Sequence, residues 1–373
     1  MNKVNTELDF SEEQAMLLDT AQEFCAARSP IEKVRSQLGS KPGYAAAIWQ
    51  EMVELGWAGI ALPESVGGSD MGVGSVVPVI ESMGKAMLGT PLISTTLAGQ
   101  LIVRTADEKA KQQWLPDLAA GKIATVALLD TFDWGAGCCA LEVIGDTLVG
   151  TKVLVTDASQ AEIFVVSASQ NGKPILIILS ADQLAEDAIS EHVLIDETKR
   201  AATVAFSGVQ VRPEQIIKGD SIAKAIEDVK LIGALLAAAE ATGSAASCLN
   251  TTVEYLKTRK QFGKLIGSYQ ALKHPAVDIL NLVDSSRSFI YHAASVVGQG
   301  DLTEDAMIAC HMAKAQATET LSYASDRCVQ FHGGMGFTYE CDAQLYIRRG
   351  QWIRQQFGDA LHHRKRLATY WLG

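Results

Sequence analysis

Apolar side chains recur at helical spacing from about residue 11 to residue 121. Met16, Leu17 and Phe24 follow one such period, and Ser11 with Gln14 three residues later resembles a capping box at its start. The pattern predicts a helical N-terminal domain over residues 1–121. Further amphipathic periods predict helices in the segments 48–55, 77–87 and 97–118.

Near Lys122 the helical periods give way to short runs that are rich in β-branched residues. Turn residues such as Asn171-Gly172 separate these runs. Several short strands at this spacing predict a compact β-barrel or sandwich over residues 122–219. The predicted strands are Ala124–Leu129, Leu141–Ile144, Thr147–Val155, Ala161–Ala168, Pro174–Leu179 and Thr203–Val211.

Helical periodicity returns after Gly219 and predicts a second helical domain over residues 220–373. A helical domain, a β domain and a second helical domain together indicate an α+β protein. The longest apolar stretch, Leu231–Ala239, is about half of the roughly 20 residues that a membrane-spanning helix requires, so we expect no membrane span.

Composition narrows the class of function. The formal net charge of -11 over 373 residues argues against a general nucleic-acid binder, which needs basic surfaces against phosphates. The seven cysteines form no C-x-x-C pair, so we expect free thiols and no metal site. The first residues carry no apolar signal core, and we expect a cytoplasmic protein.

Two segments of the last domain carry the candidate chemistry. One runs from Tyr255 to Asp278 and contains R-K-Q-F-G, where a helix is predicted to end at Gly263 with Arg259 in its last turn. The other runs from Gln330 to Glu340 and contains Q-F-H-G-G-M-G. Taken singly, the first is typical of a helix end with basic residues, and the second of a glycine-rich interhelical turn.

Together, and behind this order of domains, the two segments resemble the acyl-CoA dehydrogenase family, whose signature combines R-x-x-F-G with Q-x-x-G-G. The stretches Gly56–Gly68 and Gly150–Thr156 are similar to the family's N-terminal and middle-domain motifs. The resemblance covers nearly the whole chain and implies a C-terminal four-helix bundle. It is nearest to bacterial members that lack the usual E-G-T glutamate, including steroid-degrading ones.

The resemblance implies FAD as the cofactor. In the family, residues of both signature segments meet the dinucleotide across a subunit interface, and a middle-domain threonine bonds the flavin ring. A homodimer or tetramer is therefore expected. No G-x-G-x-x-G with a trailing acid is present, which argues against NAD. The positions that match the family's FAD contacts are Arg259, Phe262, Gln270, Gln330, Gly333, Gly334 and Thr156.

The family reaction takes a proton from the carbon α to a thioester and therefore needs a carboxylate base in a dry pocket. Both family positions for this base lack a carboxylate, because they fall on Phe357 and Gly233. Glu240 interrupts the most apolar helix two turns beyond Gly233 and is our candidate base, with Asp359 as runner-up. The alternative is a structural glutamate paired with a buried Arg or Lys.

Two further stretches depart from the family or add charge to it. Leu128–Gly137 replaces the middle-domain T-E-P-x-x-G-S-D motif, which alters contacts near the flavin and thioester. A basic cluster near the C-terminus is either a binding site for CoA phosphates or a solvated face. Its members are Arg348, Arg349, Arg354, His362, His363, Arg364, Lys365 and Arg366.

The resemblance predicts an FAD-dependent dehydrogenase that converts an acyl-CoA into the trans-2-enoyl-CoA, in fatty-acid or sterol degradation. Electrons would pass to an electron-transferring flavoprotein. One alternative is a catalytically silent or half-site subunit of a heteromeric dehydrogenase. Another is a flavin oxidase or monooxygenase built on the same fold.

Overall fold

The computed structural model describes residues 12–372, so Ser11 of the predicted capping box lies outside the described residues. Six α-helices lie in the described portion of the N-terminal part. The predicted helix over 97–118 is two helices, because Ala106 is extended and the Asp107 carboxylate accepts from the Ala110 amide at 2.8 Å, which starts a new helix. The six are α1 (Glu12–Arg28), α2 (Ile31–Gln37), α3 (Ala46–Glu54), α4 (Val77–Lys85), α5 (Leu92–Thr105) and α6 (Glu108–Ala119).

The middle part contains two β-sheets. The larger has the order β3-β2-β5-β6-β9 with β1 beside β5, and the smaller has the order β4-β8-β7. Neither sheet closes on itself, so of the two predicted forms the barrel is wrong. The strands are β1 (Ala124–Ala127), β2 (Glu142–Ile144), β3 (Thr147–Val149), β4 (Thr151–Thr156), β5 (Ile163–Gln170), β6 (Lys173–Ser180), β7 (Ile189–Glu191), β8 (Ala201–Ala205) and β9 (Ile216–Lys218).

A separate apolar core joins the two sheets. Phe164 of β5 and Val204 of β8 belong to it, and the rings of Phe164 and Phe206 meet edge to face at 6.3 Å between centroids. This packing is that of a two-layer sandwich.

Up to residue 372 the C-terminal part has five α-helices, and residues 356–359 separate the last two of them. A short hairpin, β10 (Lys260–Gln261) with β11 (Lys264–Leu265), lies between the first two helices. The predicted helix end at Gly263 is wrong, since α7 ends at Thr258. Phe262 and Gly263 both have positive φ (52° and 81°) and form the hairpin turn. The helices are α7 (Ile222–Thr258), α8 (Gln270–Val296), α9 (Glu304–His332), α10 (Ala343–Gln355) and α11 (Ala360–Leu372).

Close packing of α7 on α4 fixes the helix that carries Glu240. A Cβ on Gly84 would lie 2.2 Å from the Glu240 carbonyl oxygen, and one on Gly243 would lie 1.9 Å from the Glu81 carbonyl oxygen. The Ser244 hydroxyl also donates to the Gly84 carbonyl at 2.9 Å. Only glycine permits this backbone contact. The contact therefore fixes where α7, and with it Glu240, lies relative to α4. Between residues 12 and 372 no helix combines the length and apolar character needed to cross a bilayer.

Candidate functional site

The first candidate site is an open cleft of about 640 Å³ in the C-terminal part, here called the outer cleft. Its walls are the end of α7, the β10–β11 hairpin and the turn after α9. It brings together five of the seven predicted FAD contacts, which are Arg259, Phe262, Gln330, Gly333 and Gly334. Gln270 begins α8 beside the cleft without lining it. Thr156 lies at the end of β4 and lines the second candidate site, described below.

Local conformation presents these residues to the cleft. The hairpin turn leaves the Phe262 side chain 90% exposed at its tip. Gly333 ends α9 with φ +61°, and no atom lies within 4 Å of where its Cβ or that of Gly334 would be. Behind the glycines, the rings of Tyr255 and His332 stack at 4.1 Å between centroids and close the floor.

The outer cleft fits a dinucleotide in size and chemistry. Arg259 is exposed at its rim and makes no ion pair within the described residues, so its guanidinium is available to phosphate oxygens. The paired glycines allow a ligand to approach the backbone. The Phe262 ring is exposed to water, which is unfavourable for an aromatic side chain, and it offers a surface on which a ligand ring could stack.

The second candidate site is a small, partly enclosed cavity of about 60 Å³ where all three parts of the chain meet, here called the inner cavity. Thr156 at the end of β4 and Glu240 in the middle of α7 both line it. Its other polar, charged and aromatic lining residues are Tyr44, Thr90, Ser94, Asp157, Thr198, Lys199, Arg200, Trp352, Gln356 and Phe357.

Glu240 is buried and held by two cations. Its Oε1 lies 2.5 Å from Lys199 Nζ and 3.1 Å from Arg349 Nη1, the second without hydrogen-bond geometry. Arg349 is fully buried and also pairs with Asp196 at 2.9 Å. The four side chains form a network of two acids and two bases with no net charge.

Asp157 is a second acid in the inner cavity. Its carboxyl group is enclosed although the residue as a whole is half-buried, and burial raises its pKa to about 6. The Ser94 hydroxyl donates to Oδ2 of Asp157 at 2.6 Å, and this hydrogen bond favours the charged carboxylate and so lowers its pKa. Desolvation also raises the pKa of Tyr44 to about 12, so this phenol stays protonated.

Phe357 occupies one of the two family positions for the base, and its ring fills the space beside the other position, Gly233. A Cβ on Gly233 would lie 2.4 Å from Cε1 of the Phe357 ring, so no larger residue fits at 233 beside it. On its other side the Phe357 ring meets the Trp134 ring at 4.5 Å between centroids. Phe357 itself has φ +56°, a backbone conformation that bulky residues rarely adopt.

A buried lysine holds the segment that carries Phe357. Lys314 Nζ donates to the carbonyls of Ile353 at 3.1 Å and Gly358 at 2.9 Å, on either side of Phe357. Complete burial lowers the pKa of Lys314 to about 7. Asp359, the runner-up base, lines neither site; its Oδ1 accepts from the His362 amide at 2.8 Å and caps α11.

The basic cluster near the C-terminus is not one surface. Arg349 is fully buried in the Glu240 network, Arg348 pairs with Glu197, and Arg364 pairs with Glu319. His363 is buried with its Nδ1 2.7 Å from that of His311. The two alternatives for this cluster, a site for CoA phosphates and a solvated face, therefore do not apply to the eight residues as one set, because Arg349 and His363 are buried.

Two residues near Glu240 and Phe357 could not be predicted from the sequence. Lys199 lines the inner cavity and lies in a polar connection with no motif, whereas Trp134 packs on Phe357 outside that cavity and lies in the segment that departs from the family pattern. That segment is anchored by the fully buried Lys152, whose Nζ bonds Asp130 at 2.7 Å and the Cys138 carbonyl at 2.8 Å. The available signal was a lysine flanked by strand residues, where a charge needs a partner.

Two family profiles match the chain. The profile "Acyl-CoA dehydrogenase, N-terminal domain" matches residues 11–122, and "Acyl-CoA dehydrogenase, C-terminal domain" matches residues 231–368. The chain belongs to the acyl-CoA dehydrogenase family. The second matched range contains α7 from residue 231 onward, with Glu240, and the outer cleft.

Individual relatives agree with this membership. Acyl-CoA dehydrogenase IpdE2 of Mycolicibacterium smegmatis is 29% identical over 359 residues, which are 96% of this chain and 98% of that protein. A variant of the Tcur3481-Tcur3483 steroid acyl-CoA dehydrogenase superposes with a TM-score of 0.84 at 26% identity, over 96% and 97% of the chains. The ChsE4-ChsE5 complex of Mycobacterium tuberculosis has a TM-score of 0.85 at 22% identity over 97% and 98%, a likeness of fold alone.

Proposed function

We propose that this chain is a subunit of an assembly that dehydrogenates an acyl-CoA thioester to its trans-2-enoyl-CoA, with FAD as cofactor and an electron-transferring flavoprotein as acceptor. The outer cleft is the observation that supports the proposal, since five of the positions predicted to contact FAD line this one open groove. A cytoplasmic location remains a prediction.

Each residue of the outer cleft has a role in this proposal. Arg259 would bind the pyrophosphate through charge-assisted hydrogen bonds, and Gln330 with the two glycines would hold the neighbouring backbone of the ligand. Thr156 would bond the flavin ring from the inner cavity. FAD, when bound, supplies the acceptor for the hydride that leaves the β carbon of the thioester.

We propose Glu240 as the group that takes the α proton. Its side chain is 5% exposed and lines the inner cavity. The close packing of α7 on α4 fixes its position. Both cations contact its Oε1, so the proton would be taken by Oε2. Asp359 is a weaker candidate, because its carboxylate already caps α11.

We also propose that the functioning unit contains at least two chains. Within residues 12–372, no residue lines both the outer cleft and the inner cavity. One chain's cleft and a neighbour's cavity would together hold one dinucleotide, as the family resemblance implies. A homodimer, a homotetramer and a heteromeric pair would each bring one chain's cleft next to a neighbour's cavity in this way.

A second candidate role, a half-site subunit of a heteromeric dehydrogenase, is favoured by the small volume of the inner cavity. A volume of about 60 Å³ is well below the ~300 Å³ of the smallest typical ligand pockets. In addition, the Phe357 ring, packed against Trp134, fills the space beside Gly233, the other family position for the base. Glu240 is also engaged by Lys199 and Arg349. In this role the chain contributes its outer cleft, while its partner contributes the base.

The dinucleotide-binding role is tested with Arg259→Met, compared with Arg212→Met in the middle part as a matched control. Arg212 is 67% exposed and pairs only with Glu214 among the described residues. We expect Arg259→Met to lower the FAD content of the purified assembly at least tenfold, in line with the loss of a charged hydrogen bond, and the control to leave it unchanged. Equal FAD content in both variants would contradict the proposal.

The two roles are separated by purifying the chain alone and with its partner, and by recording the flavin band after adding acyl-CoAs without oxygen. Bleaching by the chain alone, lost in Glu240→Gln, supports Glu240 as base. Bleaching only with a partner, and unaffected by Glu240→Gln, supports the half-site role. Rapid oxygen use by the reduced protein without bleaching by any thioester would instead favour the oxidase or monooxygenase alternative.

A further inference from the structure

The inner cavity lies over one face of α7, between an aromatic ring and a carboxylate. Gly233, Ala237 and Glu240 are four and three residues apart, so they follow one another along the same side of the helix. Ala237 and Glu240 line the cavity, and the Phe357 ring, which also lines it, covers Gly233. The small side chain of Ala237 therefore leaves a gap with the ring at one end and the carboxylate at the other.

This gap is short. At 1.5 Å per residue, Gly233 and Glu240 are about 10 Å apart along α7. The Glu240 side chain shortens the gap from one end, because side chains of a helix lean toward its N-terminus and so toward Gly233. The Phe357 ring shortens it from the other end, since its Cε1 lies 2.4 Å from the place that a Cβ of Gly233 would take.

The volume of the cavity permits few atoms. About 60 Å³ has room for about four waters, since a water needs roughly 15 Å³ on the same measure. The reacting part of a thioester, which is its carbonyl group with the α and β carbons, has about this number of non-hydrogen atoms. A methyl group on the α carbon adds one more atom, and that atom would have to lie against the Phe357 ring or against the other walls, which include Met83 and Trp352.

The Phe357 ring is held in place. Lys314 Nζ donates to the Gly358 carbonyl at 2.9 Å, and His363 Nε2 lies 3.1 Å from the Phe357 carbonyl oxygen. Lys314 and His363 are both buried. The Trp134 ring packs on the other side of the Phe357 ring, at 4.5 Å between centroids. An additional carbon against this wall is unfavourable, because neither the ring nor the backbone that carries it can move away freely.

We propose that Phe357 makes this assembly selective for acyl groups that are unbranched at the α carbon. The inference rests on the proposed dehydrogenase function and adds a residue that determines its substrate class. The α carbon lies over Ala237 with its proton toward Glu240, and the Phe357 ring occupies the place that an α substituent needs. The rest of the acyl group and the flavin lie at the open side of the cavity.

The test is calorimetric binding of two isomeric probes to the purified holo-assembly. In both probes sulfur replaces the β carbon, so that no hydride can leave. One is the CoA thioester of (ethylthio)acetic acid, which is unbranched at the α carbon. The other is the CoA thioester of 2-(methylthio)propanoic acid, in which a methyl group stands on the α carbon. We expect the unbranched probe to bind at least about tenfold more tightly than either enantiomer of the branched probe, because one excess carbon in a packed pocket has about this effect.

Variants locate the effect at residue 357. Phe357→Ala should lower the preference to about threefold or less, because the space that the ring leaves accepts the methyl group. Phe357→Leu keeps a larger apolar side chain in the fold and should give an intermediate preference. Phe132→Ala is the matched control, because Phe132 is 67% exposed, its ring meets that of His192, and it lines neither candidate site. This control should retain the full preference.

The outcomes also separate this inference from the function on which it rests. Equal binding of the two isomers by the parent protein would overturn the inference, as would tighter binding of the branched isomer or an undiminished preference in both Phe357 variants. If acyl-CoAs bleach the flavin while the isomers bind alike, the selectivity is wrong and the dehydrogenase stands. If the preference and its loss in Phe357→Ala are found while no acyl-CoA bleaches the flavin, the selectivity stands and the dehydrogenase proposal fails.

Discussion

Glu240→Gln should destabilise the fold as well as change the chemistry. The substitution keeps the shape of the side chain and removes one of two acids from a buried, charge-balanced network. Lys199 is 18% and Arg349 0% exposed, so an uncompensated positive charge remains in the interior.

The magnitude follows from what each cation retains. Breaking a buried ion pair by removing one partner costs about 3–5 kcal/mol. Arg349 keeps Asp196 at 2.9 Å, and Lys199 keeps some contact with water, so we expect about 2 kcal/mol for Glu240→Gln. Lys199→Met should cost a similar amount, because Glu240 then keeps only Arg349.

A double-mutant cycle measures the coupling. In Glu240→Gln with Lys199→Met the remaining acid, Asp196, balances the remaining base, Arg349. The double variant should therefore be more stable than the sum of single effects predicts, by about 1–2 kcal/mol. Urea unfolding of the flavin-free chain, followed by tryptophan fluorescence, gives the four free energies of unfolding.

Additive single effects would refute this reasoning, as would a Glu240→Gln variant as stable as the parent. Either result would mean that Lys199 and Glu240 are not coupled as their 2.5 Å contact implies. The cycle also supplies a control for the base assignment, since lost activity in Glu240→Gln is informative only in protein that remains folded.

Three further outcomes are expected. Gly233→Ala should cost about 2 kcal/mol by thermal unfolding, because its Cβ meets the Phe357 ring at 2.4 Å, and Phe357→Leu should relieve most of this. Burial lowers the pKa of His311 to about 4 and that of His363 to about 2, so below pH ~6.5 the unfolded chain binds more protons than the folded chain. The urea concentration at the unfolding midpoint should therefore fall on acidification, and it should fall less in His363→Asn. Lys314 has its pKa lowered to about 7, so stability should rise with pH between about 7 and 10, and Lys314→Met should flatten that rise.

The order of helical, β and helical segments could be predicted from the sequence because long periods carry it. The Leu231–Ala239 run and the β-branched runs around β5 and β6 are strong local signals. The β10–β11 hairpin could not be predicted, since its strands have two residues each and show no alternation. Basic residues at Arg259 and Lys260 resemble a helix end, and they lie just after one.

The outer cleft could be predicted in large part because its residues come from two short motifs. The surroundings of Glu240 could not. The need for a buried glutamate to have a cationic partner follows from electrostatics, but its partners Lys199 and Arg349 come from distant parts of the chain. Likewise, Gly233 and Phe357 could be identified as the two positions for a base, whereas their contact depends on how the segment held by Lys314 packs against α7.

The central claim is that this chain completes an FAD-dependent acyl-CoA dehydrogenase. It is tested most directly by mixing the purified assembly with an acyl-CoA in the absence of oxygen, following the flavin band and identifying the thioester by mass spectrometry. The account predicts bleaching of the band together with the loss of two hydrogens from the thioester. A flavin band that no acyl-CoA bleaches, with every thioester recovered unchanged, would contradict it.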